Sequence, residues 1–362
     1  MKRVDTIFLW LTVALVAVGF FIFISASLGL YAREGVQFSR VVFNQIFFGV
    51  VLGALALFGA SKINYKFWRK YAFYIFLFSL AFTALVFIPG VGFSHGGATR
   101  WLALGPFSIQ PAEILKIGFV IYFATWLSGV GSKVQSFLHG LLPLIILLII
   151  TGALLLLQPD TGTFLVILIT GLGMFIIAGG RWLHLGALTG AGIAGMGVLA
   201  LMRPYIKTRL LTFLDPTSDP FGAGYQIQQS LIAIGSGQWN GRGLGQSIQK
   251  FNYLPEPIGD SIFAVFAEEW GFIGSIILIG LFLAFALRGL KIASKAPNTF
   301  SRLLVSGLIL LIVVQSFINI ASMLSVFPLT GMPLIFVSQG GTALLVALAS
   351  VGIILNVSKY AR

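Results

Sequence analysis

The chain has 362 residues, of which 58% are hydrophobic and only 9% charged, with a mean hydropathy of +1.00. Soluble domains carry about 25% charged residues, so a soluble domain does not fit. The formal charge is +13 and cysteine is absent, which excludes disulfides, iron–sulfur clusters and thiolate metal sites; His95, His139 and His184 are too scattered to suggest a histidine-built zinc site.

Apolar runs of about 20 residues, enough to cross a bilayer, fall at 7–28, 42–61, 71–91, 110–129, 138–158, 162–180, 183–202, 261–287, 303–327 and 338–358. The expectation is an all-α integral membrane protein, a single polytopic domain over 1–362 with about ten transmembrane helices. A large extracytoplasmic loop, 203–260, would separate helices 7 and 8. The first run is too long for the h-region of a signal peptide and reads as a span. With both termini cytoplasmic, Lys62, Lys66, Arg69, Lys70, Lys133, Arg181, Arg288, Lys291, Lys295, Arg302 and Lys359 fall in inner segments, as the positive-inside rule requires. Asp5 is the only inner acid, Glu34, Asp160, Asp215, Asp219, Glu256 and Asp260 are outer, and Glu113, Glu268 and Glu269 fall within spans. The positive charge is therefore a topology signal with some attraction to anionic lipid, and no nucleic-acid partner is implied.

In chain order, residues 1–91 give three spans and a basic inner loop in which Tyr65, Phe67 and Trp68 suit a headgroup-level anchor. Residues 92–116 change character. Gly96, Gly97, Gly105 and Pro106 mark turns, and Pro111 and Glu113 suit the start of a helix. Glu113 and Lys116, three apart, share a helix face and either pair for packing or line a polar cavity. Arg100 and Trp101 either hold an anionic headgroup or anchor their loop. The run Gln158–Pro159–Asp160–Thr161–Gly162–Thr163 suits a turn, and a structural role there is as open as a functional one. Gly190, Gly192 and Gly195 match G-x-G-x-x-G, but no strand precedes them, so the dinucleotide reading is rejected in favour of close helix approach. No P-loop is present.

The stretch 203–260 is polar and glycine-rich, far longer than an ordinary loop. Lys207, Arg209, Arg242 and Lys250 are donors suited to phosphates. Asp260 then opens an apolar helix, either as its N-cap or as a working carboxylate. Glu268 and Glu269 are intramembrane acids, functional candidates by default, one of them a potential partner of Lys116. In the last third, Gln315 and Asn319 share one face of a span, and Pro328, Gly331, Pro333, Gly340 and Gly341 break helix where irregular backbone must line a cavity or be buried in protein.

These residues carry a resemblance. GATRWLALGPFSIQPAEILK at 97–116, QPDTGT at 158–163, RLLTFLDPTSDPFGAGYQIQQSLIAIGSG at 209–237, GRGLGQSIQKFNYLPE at 241–256, DSIFAVFAEEWG at 260–271 and FPLTGMPLIFVSQGG at 327–341 are similar, in order, to the SEDS family (shape, elongation, division and sporulation), the FtsW and RodA proteins. FLDP at 213–216 and GLGQSIQK at 243–250 look more like its FtsW branch. Ile258 and Gly259 stand where the family has His and Thr, Gln238 where it has Gly, Gln339 where it has Tyr, and Thr342–Ala343 where it has a Ser pair.

The resemblance implies a ten-span peptidoglycan glycosyltransferase of the bacterial inner membrane that polymerises lipid II. It would act beside a class B penicillin-binding protein and other division or elongation proteins, with the division septum as its expected place of work. Asp260 would be the catalytic carboxylate. The chemistry agrees: extending a glycan needs a general base for the acceptor hydroxyl, and the departing undecaprenyl diphosphate needs cations. The expected contacts are Arg100, Trp101, Lys116 and Arg209 or Arg242 at the diphosphate, with Lys250 and Glu256 nearby and Glu113 positioning Lys116 or a metal. No cofactor is demanded, and a divalent cation, Mg or Mn, is compatible with the leaving group. A lipid II flippase and a non-catalytic division scaffold are the alternatives; both would move or recruit without lengthening chains.

Overall fold

The computed structural model describes residues 4–361 apart from 34, 96–97, 105–106, 203 and 220–221. Glu34, the turn residues Gly96, Gly97, Gly105 and Pro106, and Arg203 at the head of the long loop lie outside the described residues. The helices are α1 (Thr6–Arg33), α2 (Gly35–Asn44), α3 (Gly53–Lys62), α4 (Tyr65–Lys70), α5 (Ala72–Ala84), α6 (Pro111–Val130) and α7 (Leu142–Leu157). They continue with α8 (Thr161–Ile177), α9 (Trp182–Met202), α10 (Pro204–Leu214), α11 (Ala223–Ser236), α12 (Ile262–Ser294), α13 (Thr299–Met323) and α14 (Gly341–Ser358). Among the described residues eight helical stretches are long and apolar enough to cross a membrane, and Ala72–Phe87 and Thr161–Ile177 are shorter apolar helices. Backbone polar groups have no partner in lipid other than each other, so apolar runs of this length resolve into helices. The chain is a multi-pass membrane protein.

Helices α13 and α14 form the interior: 78% and 83% of their apolar stretches are buried, against 6% for α9. Small residues bring α14 onto α3. A side chain at Gly352 would collide with the Leu57 carbonyl and Ala60, and one at Gly53 with Leu348, the close approach that membrane helices favour. Strand β1 (Gly92–His95), β2 (Ala98–Leu104) and β3 (Phe107–Ile109) form an antiparallel sheet in the order β1-β2-β3, with Leu102 opposite both Gly92 and Ile109. The sequence reads this stretch as turns only. Its strands are short and glycine-punctuated, so their two-residue alternation is hard to see.

The stretch 203–260, expected as loop, contains α10, α11 and a 3-10 turn at Gln249–Phe251. Its segment 237–243 packs into a break in α12. Gly271 has φ 66 and ψ −164 within the helix, a conformation open to glycine, and a side chain there would run into the backbone of Gly241. The break leaves helix groups unpaired, and the loop supplies partners. The Phe272 N–H donates to the Gln238 carbonyl at 2.8 Å, and the Arg242 and Gly243 N–H groups donate to the Glu268 and Glu269 carbonyls at 3.0 Å.

The two ends of the bundle differ in charge. Helix α12 runs from the Asp260 end to Arg288, Lys291 and Lys295, and α8 runs from Asp160 to the turn carrying Arg181. Asp5, held by Arg288 at 2.7 Å, is the acid of that far end. The cation bias read from the sequence is thus gathered at the end opposite Asp260.

Candidate active site

Asp260 lies two residues before α12. The N-cap position belongs to Ser261, so capping does not use the Asp260 side chain. The residue as a whole is half-buried. Oδ2 accepts from Gln226 Nε2 of α11 at 3.2 Å, and the same amide donates to Ser261 Oγ at 2.9 Å. Oδ1 is shielded from solvent and has no hydrogen-bond partner. Burial pushes the Asp260 carboxyl up to about 6 and Glu256 repels its charge, while the Gln226 hydrogen bond and Arg209 pull the other way.

Arg209 of α10 faces the same place. A β-carbon built on Gly331 would lie 3.9 Å from both Arg209 Nη2 and Asp260 Oδ2. Arg209 donates to the Thr330 carbonyl at 3.4 Å. Burial lowers its pKa, and Arg100 pushes in the same direction; a guanidinium keeps its charge regardless. Arg100, on β2, donates to the carbonyls of Gln158 and Pro159, which ties the sheet to the turn before α8. Asp160 there caps α8 by accepting from the Thr163 N–H at 3.2 Å. Trp101 is half-buried next in the strand, opposite Phe93.

The irregular segment between α13 and α14 forms the other wall. Asn319 Nδ2 donates to the Asp260 carbonyl and the Met332 carbonyl, both at 2.7 Å, and Gln315 Nε2 donates to the Pro333 carbonyl at 3.1 Å. Lys116 donates to Glu113 at 2.8 Å and to Gln315 Oε1. Polar contacts therefore run from Glu113 through Lys116 and Gln315 to the Pro333 carbonyl, and Asn319 ties the adjacent Met332 carbonyl to the backbone of Asp260. Lys116 is enclosed and reaches the site through these contacts, rather than by facing a ligand as the sequence suggests.

Three expectations are corrected. Neither Glu268 nor Glu269 pairs with Lys116. Glu269 takes Lys250 at 2.7 Å and Ser25 Oγ at 2.5 Å. Lys250, expected among the phosphate donors, is fully buried and also donates to the carbonyls of Ser25 at 3.1 Å and Gly245 at 2.9 Å. Arg242, expected in the same role, sits 3.5 Å from Glu268, whose oxygens also accept from Ser247 Oγ at 2.5 Å and the Ile248 N–H at 3.1 Å. A buried charge is tolerated when it is paired and hydrogen-bonded throughout, and these acids fasten the 237–254 segment to α12 and α1. Glu256 stays by Asp260: its carbonyl accepts from the Gly259 and Ser261 N–H groups. Sequence reasoning missed Gln226, whose only signal is a polar side chain in a run that alternates as an amphipathic helix.

Comparison with known proteins gives a consistent picture. The sequence model of a family of cell cycle proteins named for FtsW, RodA and SpoVE matches residues 6–362. The chain is 39% identical over 361 residues to the probable peptidoglycan glycosyltransferase FtsW of Nitrosococcus halophilus (strain Nc4), covering 99% of this chain and 93% of that one. It is 39% identical over 311 residues to stage V sporulation protein E of Bacillus subtilis (strain 168), covering 86% and 85%. Among solved structures, it is similar to a chain of a peptidoglycan synthase complex that coordinates polymerization and crosslinking (TM-score 0.81, 29% identity, 99% of each chain). It is also similar to the rod shape determining protein RodA of Thermus thermophilus (TM-score 0.69, 27% identity, 99% and 97%).

Proposed function

The chain belongs to the family of cell cycle proteins that includes FtsW, RodA and SpoVE, and on that premise we propose that it is a peptidoglycan glycosyltransferase that polymerises lipid II with Asp260 as general base. The observation that carries this reading is the Asp260 carboxylate, with one oxygen unpartnered and Arg209 facing the other's side beside Gly331.

The acceptor GlcNAc 4-hydroxyl donates to the Asp260 carboxylate. As its oxygen attacks the anomeric carbon of the donor, Asp260 takes the proton. The bond from that carbon to the diphosphate breaks, and its electron pair leaves with undecaprenyl diphosphate. One displacement inverts the anomeric centre, as in inverting glycosyl chemistry. A base pushed up to about 6 is still ionised at neutral pH and is a better proton acceptor than an ordinary carboxylate. Arg209 and Arg100 supply positive charge to the leaving group, with Trp101 flanking them. Glu113, Lys116, Gln315 and Asn319 are positioning residues that fix the Asp260 backbone and the segment beside it.

Among the described residues no three His, Cys, Asp or Glu side chains converge as a metal site. Magnesium commonly takes one or two carboxylates plus substrate phosphates, so Asp260 and Glu256 would be its protein ligands, and it would neutralise diphosphate charge. A class B penicillin-binding protein is the proposed partner, and the division septum of the inner membrane, with both termini cytoplasmic, the proposed location. The test is a glycan gel with purified protein, partner and lipid II. Asp260→Asn should give no polymer while remaining folded; polymer at the wild-type rate would remove the base from the mechanism.

A further inference from the structure

At the end of the bundle opposite Asp260, a cavity of about 630 Å³ opens between the α6–α7 connection and the α8–α9 turn, lined by Ser132, Lys133, Ser136, His139, Arg181 and His184 among others. No acid lines it, and among the described residues neither Lys133 nor Arg181 is paired with a carboxylate. The sequence separates His139 from His184 by a whole transmembrane passage out and back, and the fold returns them to one cavity. Ser136 caps the helical stretch that begins at Phe137, and α9 begins at Trp182. Both N-termini lie at the cavity, and helix N-termini favour anions. His184 Nδ1 is shielded and has no partner. The rim is apolar: Phe137, Leu138, Trp182 and Leu183 are each more than half exposed, in a chain whose outer surface meets lipid.

We infer that this cavity binds the phosphate of an anionic phospholipid headgroup, with the acyl chains lying on the exposed rim. Cationic pockets between helices at the cation-rich side of a membrane protein are suited to such headgroups, and aromatic residues at that level mark the interface. Lys133 and Arg181 also follow the C-terminal ends of α6 and α8, where cations are favoured. That role asks for charge alone; it calls for neither a cavity of this size nor two imidazoles and two hydroxyls around it. A second cationic cavity, at Arg288, Lys291 and Lys295, contains Asp5 ion-paired to Arg288 and serves as the internal control.

The test uses the full chain, titrated with phosphatidylglycerol and phosphatidylcholine in mixed micelles, with native mass spectrometry counting retained lipid. Wild type should retain phosphatidylglycerol preferentially. Each cation removed should weaken retention roughly fivefold, so Lys133→Ala with Arg181→Gln should weaken it about 25-fold. Arg181→Gln alone, the milder change, should show the single fivefold loss. Lys291→Ala with Lys295→Ala should leave retention within about twofold. Undiminished preference in the Lys133 and Arg181 variants, or an equal loss in the Lys291 and Lys295 control, would overturn the site. Inorganic phosphate or glycerol phosphate binding as tightly as the lipid would overturn its assignment to a lipid.

Discussion

Asp260 and the pair Glu268 and Glu269 occupy one short stretch of chain, yet they are opposite cases. Every oxygen of Glu268 and Glu269 has a donor: Arg242, Ser247 and backbone N–H groups for one, Lys250 and Ser25 for the other. Asp260 keeps one oxygen shielded and unpartnered, and its charged form is disfavoured by burial. Acids within membrane spans are functional candidates by default, but this comparison assigns the work, on the proposed mechanism, to the unsatisfied carboxylate, and the deeper satisfied ones to the scaffold that holds it.

The sharpest way to break the comparison is Lys250→Met, which leaves Glu269 buried without its cation. The expected cost is about 3–5 kcal/mol, and adding Glu269→Leu should recover most of it; thermal unfolding in detergent reads both. A Lys250→Met protein of normal stability that no longer polymerises would return Lys250 to the site. Arg209→Gln should act the other way, lowering polymerisation by roughly 10²–10³-fold with little change in unfolding temperature. Glu268→Gln turns an amide toward donors that expect a carboxylate. It should cost about 1–3 kcal/mol and leave the rate per folded molecule intact. The smallest effect is at Gln238, which has φ 47 where relatives were expected to have Gly. Gln238→Gly should stabilise by up to about 1 kcal/mol, since left-handed backbone costs a non-glycine residue about 1–2 kcal/mol and glycine gives back part of that as chain entropy.

The difference between the two cases also sets how much was legible beforehand. Continuous hydropathy over some 20 residues placed every long apolar helix, because lipid leaves the backbone one solution. The helices α10 and α11 were hidden by the prolines and glycines around them; α11 buries only Ile227, Ala233 and a few small residues. At the site, Asp260, Arg100 and Arg209 were named from charge and resemblance, and they converge. Lys250 and Arg242 were named on the same grounds and do not. Residue type shows that a lysine can bind phosphate; only three-dimensional proximity shows that Glu269, Ser25 and Gly245 already hold it. Gln226 had only the faint signal of a polar side chain in an amphipathic run, and the meeting of His139 with His184 had none, since both depend on how distant helices pack.

Protonation separates the readings most directly. The folded Asp260 has its pKa raised from 3.8 to about 6, so the folded state holds a proton that the unfolded chain releases. Its contribution to stability is present below about 3.8 and lost as pH rises through about 6. Removing the charge with Asp260→Asn should therefore leave unfolding at neutral pH unchanged or slightly later. Activity runs in the opposite sense, because the base must be ionised to accept a proton. The decisive measurement is the initial rate of lipid II polymerisation by the purified complex as a function of pH. The account predicts a rate that falls about tenfold per unit of pH below an apparent pKa near 6, with no such limb left to observe in Asp260→Asn because its rate is lost. A rate undiminished down to the ordinary carboxylate range, or an acid limb that survives in Asp260→Asn, would contradict it.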